Sequence, residues 1–210
     1  RAPALLRSQQ RAVTEADYEF LAMQKFPELI GRVKCLQPTA AEGGQVIPGQ
    51  IYVLVIPRVP HPEGYLTPKQ LEVDSSTITS LKIYLDERRL LTTRLDVRSP
   101  AYQWVAIKVK LRATPGVDAA KVQAEILDRL YRFINPLIGG LDGKGWVFNR
   151  DLFISDVYQC LQGTPNVQFI RAVEMYKASS SGMPAGDPIE SLEVLAHSTL
   201  ASGKHTVEFV

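Results

Sequence analysis

Cysteine and histidine are scarce. The 210 residues hold two Cys and three His, too few for a disulfide framework or a run of metal-ligand motifs. Cys35 and Cys160 each sit among apolar neighbours and read as small buried hydrophobes, as expected of a reducing assembly compartment. Charge of one sign is also missing. A formal net charge of +2 gives no general reason to bind polyanions. No apolar run reaches the ~18–20 residues needed to span a bilayer; the longest, Ile51 to Ile56, is strand-sized and stops at Pro57. A signal-peptide pattern is absent, and Arg1 in place of Met reads as part of a longer polypeptide.

What is present is an ordinary folding composition, with 45% hydrophobic and 22% charged residues, enough for one large domain or two small ones. Thr14 to Asp17 forms a capping box with Asp in the place of the usual Glu or Gln, and Val13 and Tyr18 are spaced as a hydrophobic staple. The helix so opened runs to about Lys25 and ends before Pro27 and Gly31; Val33 to Leu36 is a short strand. Gly43, Gly44, Pro48 and Gly49 mark a turn before Ile51–Ile56. That strand is apolar on both faces and belongs at the centre of its sheet.

A loop with four prolines, Pro57 to Pro68, follows. Ile78, Leu81 and Leu85 then form a helical stripe whose solvated end is Asp86-Glu87-Arg88-Arg89. Thr93, Leu95 and Val97 alternate with charged residues as a half-buried strand.

After Pro100, Val105, Ile107, Val109 and Leu111 face one way and Lys108, Lys110 and Arg112 the other. Asp118 caps a helix with Val122, Ile126, Leu130 and Phe133 on one face. Lys121–Glu125, Glu125–Arg129 and Asp128–Arg132 are ion-pair spacings on the other, each worth ~0.2–0.5 kcal/mol. Asn135-Pro136 stops that helix. A glycine-rich loop leads to Trp146 and Phe148, Ser155 caps a short helix ending at Gly163, and Pro165-Asn166 turns into a strand from Val167 to about Tyr176.

The expected architecture is α+β: two small ferredoxin-like α/β modules in tandem, residues 1–99 and 100–178, with helices on one face of each sheet. A Ser/Gly/Pro linker spans 179–188. A C-terminal β-hairpin tail spans 189–210, with Leu192 and Val194 on one arm, Ser202-Gly203-Lys204 at the turn, and Val207 and Phe209 on the other.

Few residues offer chemistry. The loop Gly139 to Gly145 fails as a phosphate loop, because Ile138 stands where Gly is needed and Gly145 where Ser or Thr would hold magnesium. His197 and His205 flank the expected hairpin turn and would face each other across it; a metal there would need Glu193 or Glu208 as well, so packing within the hairpin is the default. His61 lies between prolines with no ligand set. No nucleophile elbow is present, and no catalytic, cofactor or metal residues are assigned. Lys108, Lys110 and Arg112, with Tyr102 and Trp104 on the same face, are the one competing pattern, a basic strand face for nucleic acid. The strand lacks the signature of RNA recognition modules, and edge-protecting lysines are the plainer reading.

Several segments resemble, in order, the baseplate J-like wedge proteins of contractile-tailed phages and contractile injection systems. Arg11-Ala12-Val13-Thr14 with Asp17-Tyr18 is similar to the family's R-A-V-T-x-x-D-Y opening. Leu85 to Thr93 is similar to L-D-x-R-R-P-L-x-T, with Leu90 where Pro is common. Pro100-Ala101-Tyr102 and the Val105–Leu111 strand follow. Asn135-Pro136-Leu137 through Gly139, Gly140, Asp142, Gly143, Gly145-Trp146, Phe148 and Arg150 resembles N-P-L-x-G-G-x-D-G-x-G-W-x-F-x-R. Ser155 to Tyr158, Asn166-Val167 and a Ser202–Val207 segment resembling a closing hairpin complete the series, which covers roughly residues 10–210.

The resemblance implies a structural, non-enzymatic wedge subunit without cofactor or small-molecule substrate. It pairs with a second copy of itself and another wedge protein around a central spike and hub, near sheath-proximal baseplate proteins. It would be assembled in the cytoplasm as part of a tail or tail-like particle and couple baseplate rearrangement to sheath contraction. The family's helical N-terminal part is missing from this sequence. Candidate interface residues are Gly139, Gly140, Asp142, Gly143, Lys144 and Trp146, with the strand edges and the tail.

Overall fold

The computed structural model describes residues 11–38 and 47–210; the turn expected at Gly43 and Gly44 lies outside them. The chain is α+β and forms two compact units. One comprises the described residues up to Val59 with Leu71–Pro100, the other Pro60–Gln70 with Ala101–Val210.

In the first unit, helix α1 (Glu15–Lys25) begins at the capping box legible in the sequence. The Thr14 hydroxyl accepts from Asp17 N–H at 3.3 Å, and the Asp17 carboxylate accepts from Thr14 N–H at 2.8 Å and Val13 N–H at 3.1 Å. The staple does not form as a buried pair: Tyr18 is 1% exposed but Val13 is 57% exposed. Ala12 takes the inward place instead. It is fully buried and donates its N–H to Arg88 O at 2.8 Å in a one-residue bridge beside Arg89. An alternating extended segment sends neighbouring side chains to opposite sides, so burying Ala12 turns Val13 outward.

Strands β1 (Ile30–Leu36) and β2 (Gln50–Pro57) are antiparallel, and β3 (Arg94–Arg98) joins the other edge of β2 in parallel. The order β1-β2-β3 puts the strand that is apolar on both faces at the centre. Helix α2 (Ser75–Asp86) is the β2-to-β3 crossover, capped by Asp74, which accepts Ser76 N–H at 3.0 Å. Tyr18, Leu21, Cys35, Val53, Leu81, Leu85 and Val97 share one core.

The Arg-Arg pair after α2 works locally. Arg88 stacks 3.8 Å from the centre of the Tyr84 ring. Arg89 donates to Thr93 O at 2.7 Å, closing the turn into β3. At the free edge of β1, the Glu19 carboxylate accepts Cys35 N–H at 2.9 Å and pairs with Lys34 at 3.1 Å, so one edge donor is already satisfied.

The second unit is built on β4 (Ala101–Ala113), paired antiparallel with β6 (Val167–Ala178). Helices α3 (Ala119–Phe133) and α4 (Ile154–Leu161) cover one face of this sheet. Val122, Ile126, Leu130 and Phe133 meet Val105, Ile107, Val109 and Leu111 there, as the periodicity requires. Glu125–Arg129 and Asp128–Arg132 form at 3.0 and 2.8 Å. Ser155 is not the cap of α4: the helix starts at Ile154, and Asp156 reaches back to accept Phe153 N–H at 3.0 Å. The short strand β5 (Leu152–Phe153) precedes it and pairs with β8 (Ser191–Leu192).

Two expectations about the tail are corrected. The stretch read as a linker carries strand β7 (Pro184–Ile189), an exposed edge antiparallel to β6; Ser, Gly and Pro serve here as turn and edge residues. The hairpin at 189–210 does not form. Strands β9 (Ser198–Ser202) and β10 (Thr206–Phe209) lie end to end, both parallel to β4. Gly203 is a point of close approach and not a hairpin turn, since a Cβ there would lie 2.9 Å from Gly182 O and from Ala178 Cβ. The element order αββαβ of the first unit likewise lacks the opening strand of a ferredoxin-like βαββαβ motif.

Candidate functional site

The glycine-rich loop grows from the end of α3. Ile134 gives the last helical N–H to Leu130 O, and Asn135, 1% exposed, then organises everything that follows. Its Oδ1 accepts Leu137 N–H at 2.9 Å and Ile138 N–H at 3.1 Å, while Nδ2 donates to Pro62 O at 2.7 Å. Its backbone carbonyl accepts both Gly139 N–H at 3.1 Å and Trp146 N–H at 2.8 Å. One buried residue thus fixes both ends of the loop, with its carbonyl and both side-chain polar atoms satisfied.

The glycines have distinct duties. A Cβ on Gly139 would lie 2.4 Å from the carbonyl oxygens of Phe133 and Asn135, so no side chain fits. Gly140, Gly143 and Gly145 have φ of +78°, +68° and +91°, the left-handed region that favours glycine. Asp142 Oδ1 accepts Lys144 N–H at 3.2 Å, an Asx turn at the tip. Gly140 N–H goes to Phe133 O and Gly145 N–H to Gly139 O, each at 2.9 Å. These amides are spent inside the loop, holding its two sides together.

Trp146 is wholly buried, edge-on to Phe133 with ring centres 5.4 Å apart. Its indole N–H donates to Arg150 O at 2.8 Å. The Arg150 guanidinium lies 5.0 Å from the indole centre and pairs with Asp156 at 3.2 Å, so the chain of contacts continues into the start of α4. Of the six candidate residues, Gly139 and Trp146 are the buried foundation, Gly140 is half-buried, and Asp142, Gly143 and Lys144 form the exposed tip beside Leu141, which is 64% exposed. The N-P-L-x-G-G-x-D-G-x-G-W-x-F-x-R block therefore forms a loop with its anchor inside and its tip exposed.

The other candidates do not assemble into a reactive site. His197 is exposed and His205 buried, at opposite ends of the extended β9, so they do not face each other. Among the described residues no group of three or more His, Cys, Asp or Glu is placed to hold a metal. His205 instead completes the sheet. Its Nδ1 accepts Ile107 N–H at 2.9 Å in the gap between β9 and β10, and its Nε2 donates to Ser202 Oγ at 3.1 Å, which in turn donates to Ile134 O at 2.6 Å. Burial pushes its pKa down to about 3.

In the basic row, Lys108 pairs with Glu208 at 2.7 Å and Lys110 with Glu174 at 2.6 Å. Trp104 is 9% exposed and flanked by Tyr65 and Tyr102 at 6.3 and 6.4 Å. A base-stacking platform needs accessible rings and unpaired cations; Trp104, Lys108 and Lys110 do not supply them, while Arg112 is exposed. Burial raises the thiols of Cys35 and Cys160 to about 12 and about 11.

Sequence reasoning missed Asn135 as the hub and His205 as a strand substitute. An Asn directly before Pro at a helix end was the available signal for the first. Nothing local announced the second, because its partner lies 98 residues away.

No protein-family model matches the chain, and no curated protein matches it. Among solved structures, the fold is similar to a chain in the cryo-EM structure of the anti-feeding prophage (AFP) baseplate, six-fold symmetrised. The TM-score is 0.55 at 19% sequence identity, over 97% of this chain and 40% of that one. This chain thus spans about two fifths of the length of the baseplate chain it matches. No helix among the described residues is long and apolar enough to cross a membrane.

Proposed function

We propose that this chain is a structural part of the baseplate of a contractile tail or injection system, acting by assembly and not by catalysis. The observation that carries the reading is the fold likeness to an AFP baseplate chain over 97% of the residues. The ordered wedge-family motifs support it independently, and the block from Asn135 to Arg150 forms a loop anchored by buried Asn135 and Trp146 with an exposed tip. In its finer form the proposal is a wedge subunit, pairing with a second copy and another wedge protein around the central spike and hub. There it couples baseplate rearrangement to sheath contraction within a particle assembled in the cytoplasm. The contact elements are the Gly140–Lys144 tip and the strand edges.

The test is co-expression of the full-length protein with the wedge proteins of its own particle, followed by size-exclusion chromatography with light scattering and electron microscopy of tagged particles. Co-elution in a complex and a tag at the baseplate end are expected. A monodisperse monomer that ignores those proteins, or a tag elsewhere on the particle, would overturn the proposal.

A further inference from the structure

The outer edges of the five-stranded sheet are treated differently. On one side β7 carries Pro184 and Pro188, a positive φ of 75° at Gly186 and a register break against β6. Such devices stop another strand from adding. On the other side β9 is buried at all five residues, and Thr199 is tied to Trp146 O at 3.1 Å. Its continuation β10 has none of these protections. Thr206-Val207-Glu208-Phe209 holds no Pro, Gly or Lys, and its β-branched and aromatic residues suit a strand.

The direction of the backbone groups follows from one bond. Val210 N–H donates to Leu111 O at 3.0 Å, so residues 206, 208 and 210 turn their amides towards β4, and Val207 and Phe209 turn theirs away. The chain itself covers the outward amide only as far as His205, whose N–H lies 3.5 Å from the Tyr131 hydroxyl. Among the described residues β10 has no strand partner but β4, while helix α3 packs on its core-side face. Phe209 and Val210 are 39% and 45% exposed.

We infer that the free edge of β10 accepts an extended segment of a second protein chain as an added strand. The amides and carbonyls of Val207 and Phe209 supply the pairing groups. The occupant alternates in character: an apolar side chain beside Val207, which packs on the helix-covered core, and Phe209, and a Lys or Arg beside Glu208, which holds Lys108 through Oε1 at 2.7 Å and keeps its side chain 49% exposed on the opposite face. A second copy of this strand fits less well. The antiparallel self-pairing that sets Val207 against Phe209 also sets Glu208 against Glu208, and like charges directly opposite destabilise a sheet. The inference stands on the edge itself and does not need the baseplate reading.

The experiment measures hydrogen exchange of the Val207 and Phe209 amides in the full chain. The probe is a capped peptide of alternating Lys and Val at millimolar concentration, and the control is a twin of the same sequence N-methylated at every residue. Both amides should gain at least about tenfold protection with the plain peptide and none with the twin. Phe209→Pro, which keeps the Val210 rung, should abolish binding of the plain peptide, while Phe209→Ala should keep it within about threefold. Equal protection by the twin, no protection by the plain peptide, or undiminished binding to a natively melting Phe209→Pro protein would overturn the inference. Protection that rises with protein concentration alone would replace the second chain by a second copy. If Phe209→Pro does not fold, the two peptides on the unaltered protein still decide.

Discussion

Asn135 and Trp146 are joined through one carbonyl oxygen, which accepts the Trp146 N–H at 2.8 Å and closes the glycine loop at its base. The base of the loop is therefore tied directly to the core beneath it. Asn135→Ala removes three side-chain hydrogen bonds, leaving the amides of Leu137 and Ile138 and the carbonyl of Pro62 without their partner. A loss of about 2–4 kcal/mol is expected in urea unfolding. Lys144→Ala at the exposed tip should change stability by less than about 0.5 kcal/mol.

Gly139→Ala tests the same base from the backbone side. The added methyl meets two carbonyl oxygens at 2.4 Å and cannot be absorbed by a rotamer change. A destabilisation of about 3 kcal/mol or more should appear as a lower urea midpoint. A near-neutral result would mean that the loop base can shift.

The buried imidazole of His205 gives a pH signature. Its folded pKa is about 3 against an ordinary 6.5, so below about pH 6.5 the unfolded chain takes up a proton that the native state refuses. Stability should be level above neutrality and fall by about 1.4 kcal/mol per pH unit on acidification. Three carboxylates act lower. Asp17, partly desolvated but held by the amides of Thr14 and Val13, Asp74, held by the Ser76 hydroxyl and amide, and Glu174, held by Lys110 and Tyr176, lie below the usual range. The stability they contribute is lost only as pH falls below about 4.5. Between pH 6.5 and 4.5 the slope belongs to His205, and His205→Gln should flatten it.

The helix start separates two residues that look equivalent in sequence. Thr14→Ala removes half of the capping box and should cost about 1 kcal/mol. Val13→Ala should cost less than about 0.5 kcal/mol, because Val13 is 57% exposed.

Thiol labelling provides a simple check of burial. Cys35 and Cys160, raised to about 12 and about 11 by burial, carry little thiolate at pH 8. Both should resist an aromatic disulfide reagent in the native protein and react in denaturant. Prompt labelling of the native protein would place either one in a more open setting.

Elements fixed by local rules were legible. The capping box at Thr14, the α3 stripe and the central place of β2 each follow from residue types within a few positions of one another. The loop block was legible as glycine geometry, although which residues carry it from inside was not: Trp146 looks like a contact residue in sequence and is a buried anchor in the fold. The tail was misread because its pairing is remote. Ser202-Gly203-Lys204 has turn composition, yet β9 and β10 are set by β4, about a hundred residues earlier. In the same way, Ala12 overrides Val13 through a bridge to Arg89 that no helical spacing announces.

The remote pairing of β10 with β4 also bears on how the chain reaches its native state. Contacts across such a separation close late, after the β4–β6 pair has the opportunity to form. Until then one edge of Val105 to Leu111 is bare, a strand-forming run of the kind that seeds aggregation. Lys108 and Lys110 interrupt it. Lys110 meets Glu174 as soon as β6 pairs, but Lys108 stays an unneutralised charge beside the open edge until β10 brings Glu208, which is the position of a gatekeeper against association of nascent copies.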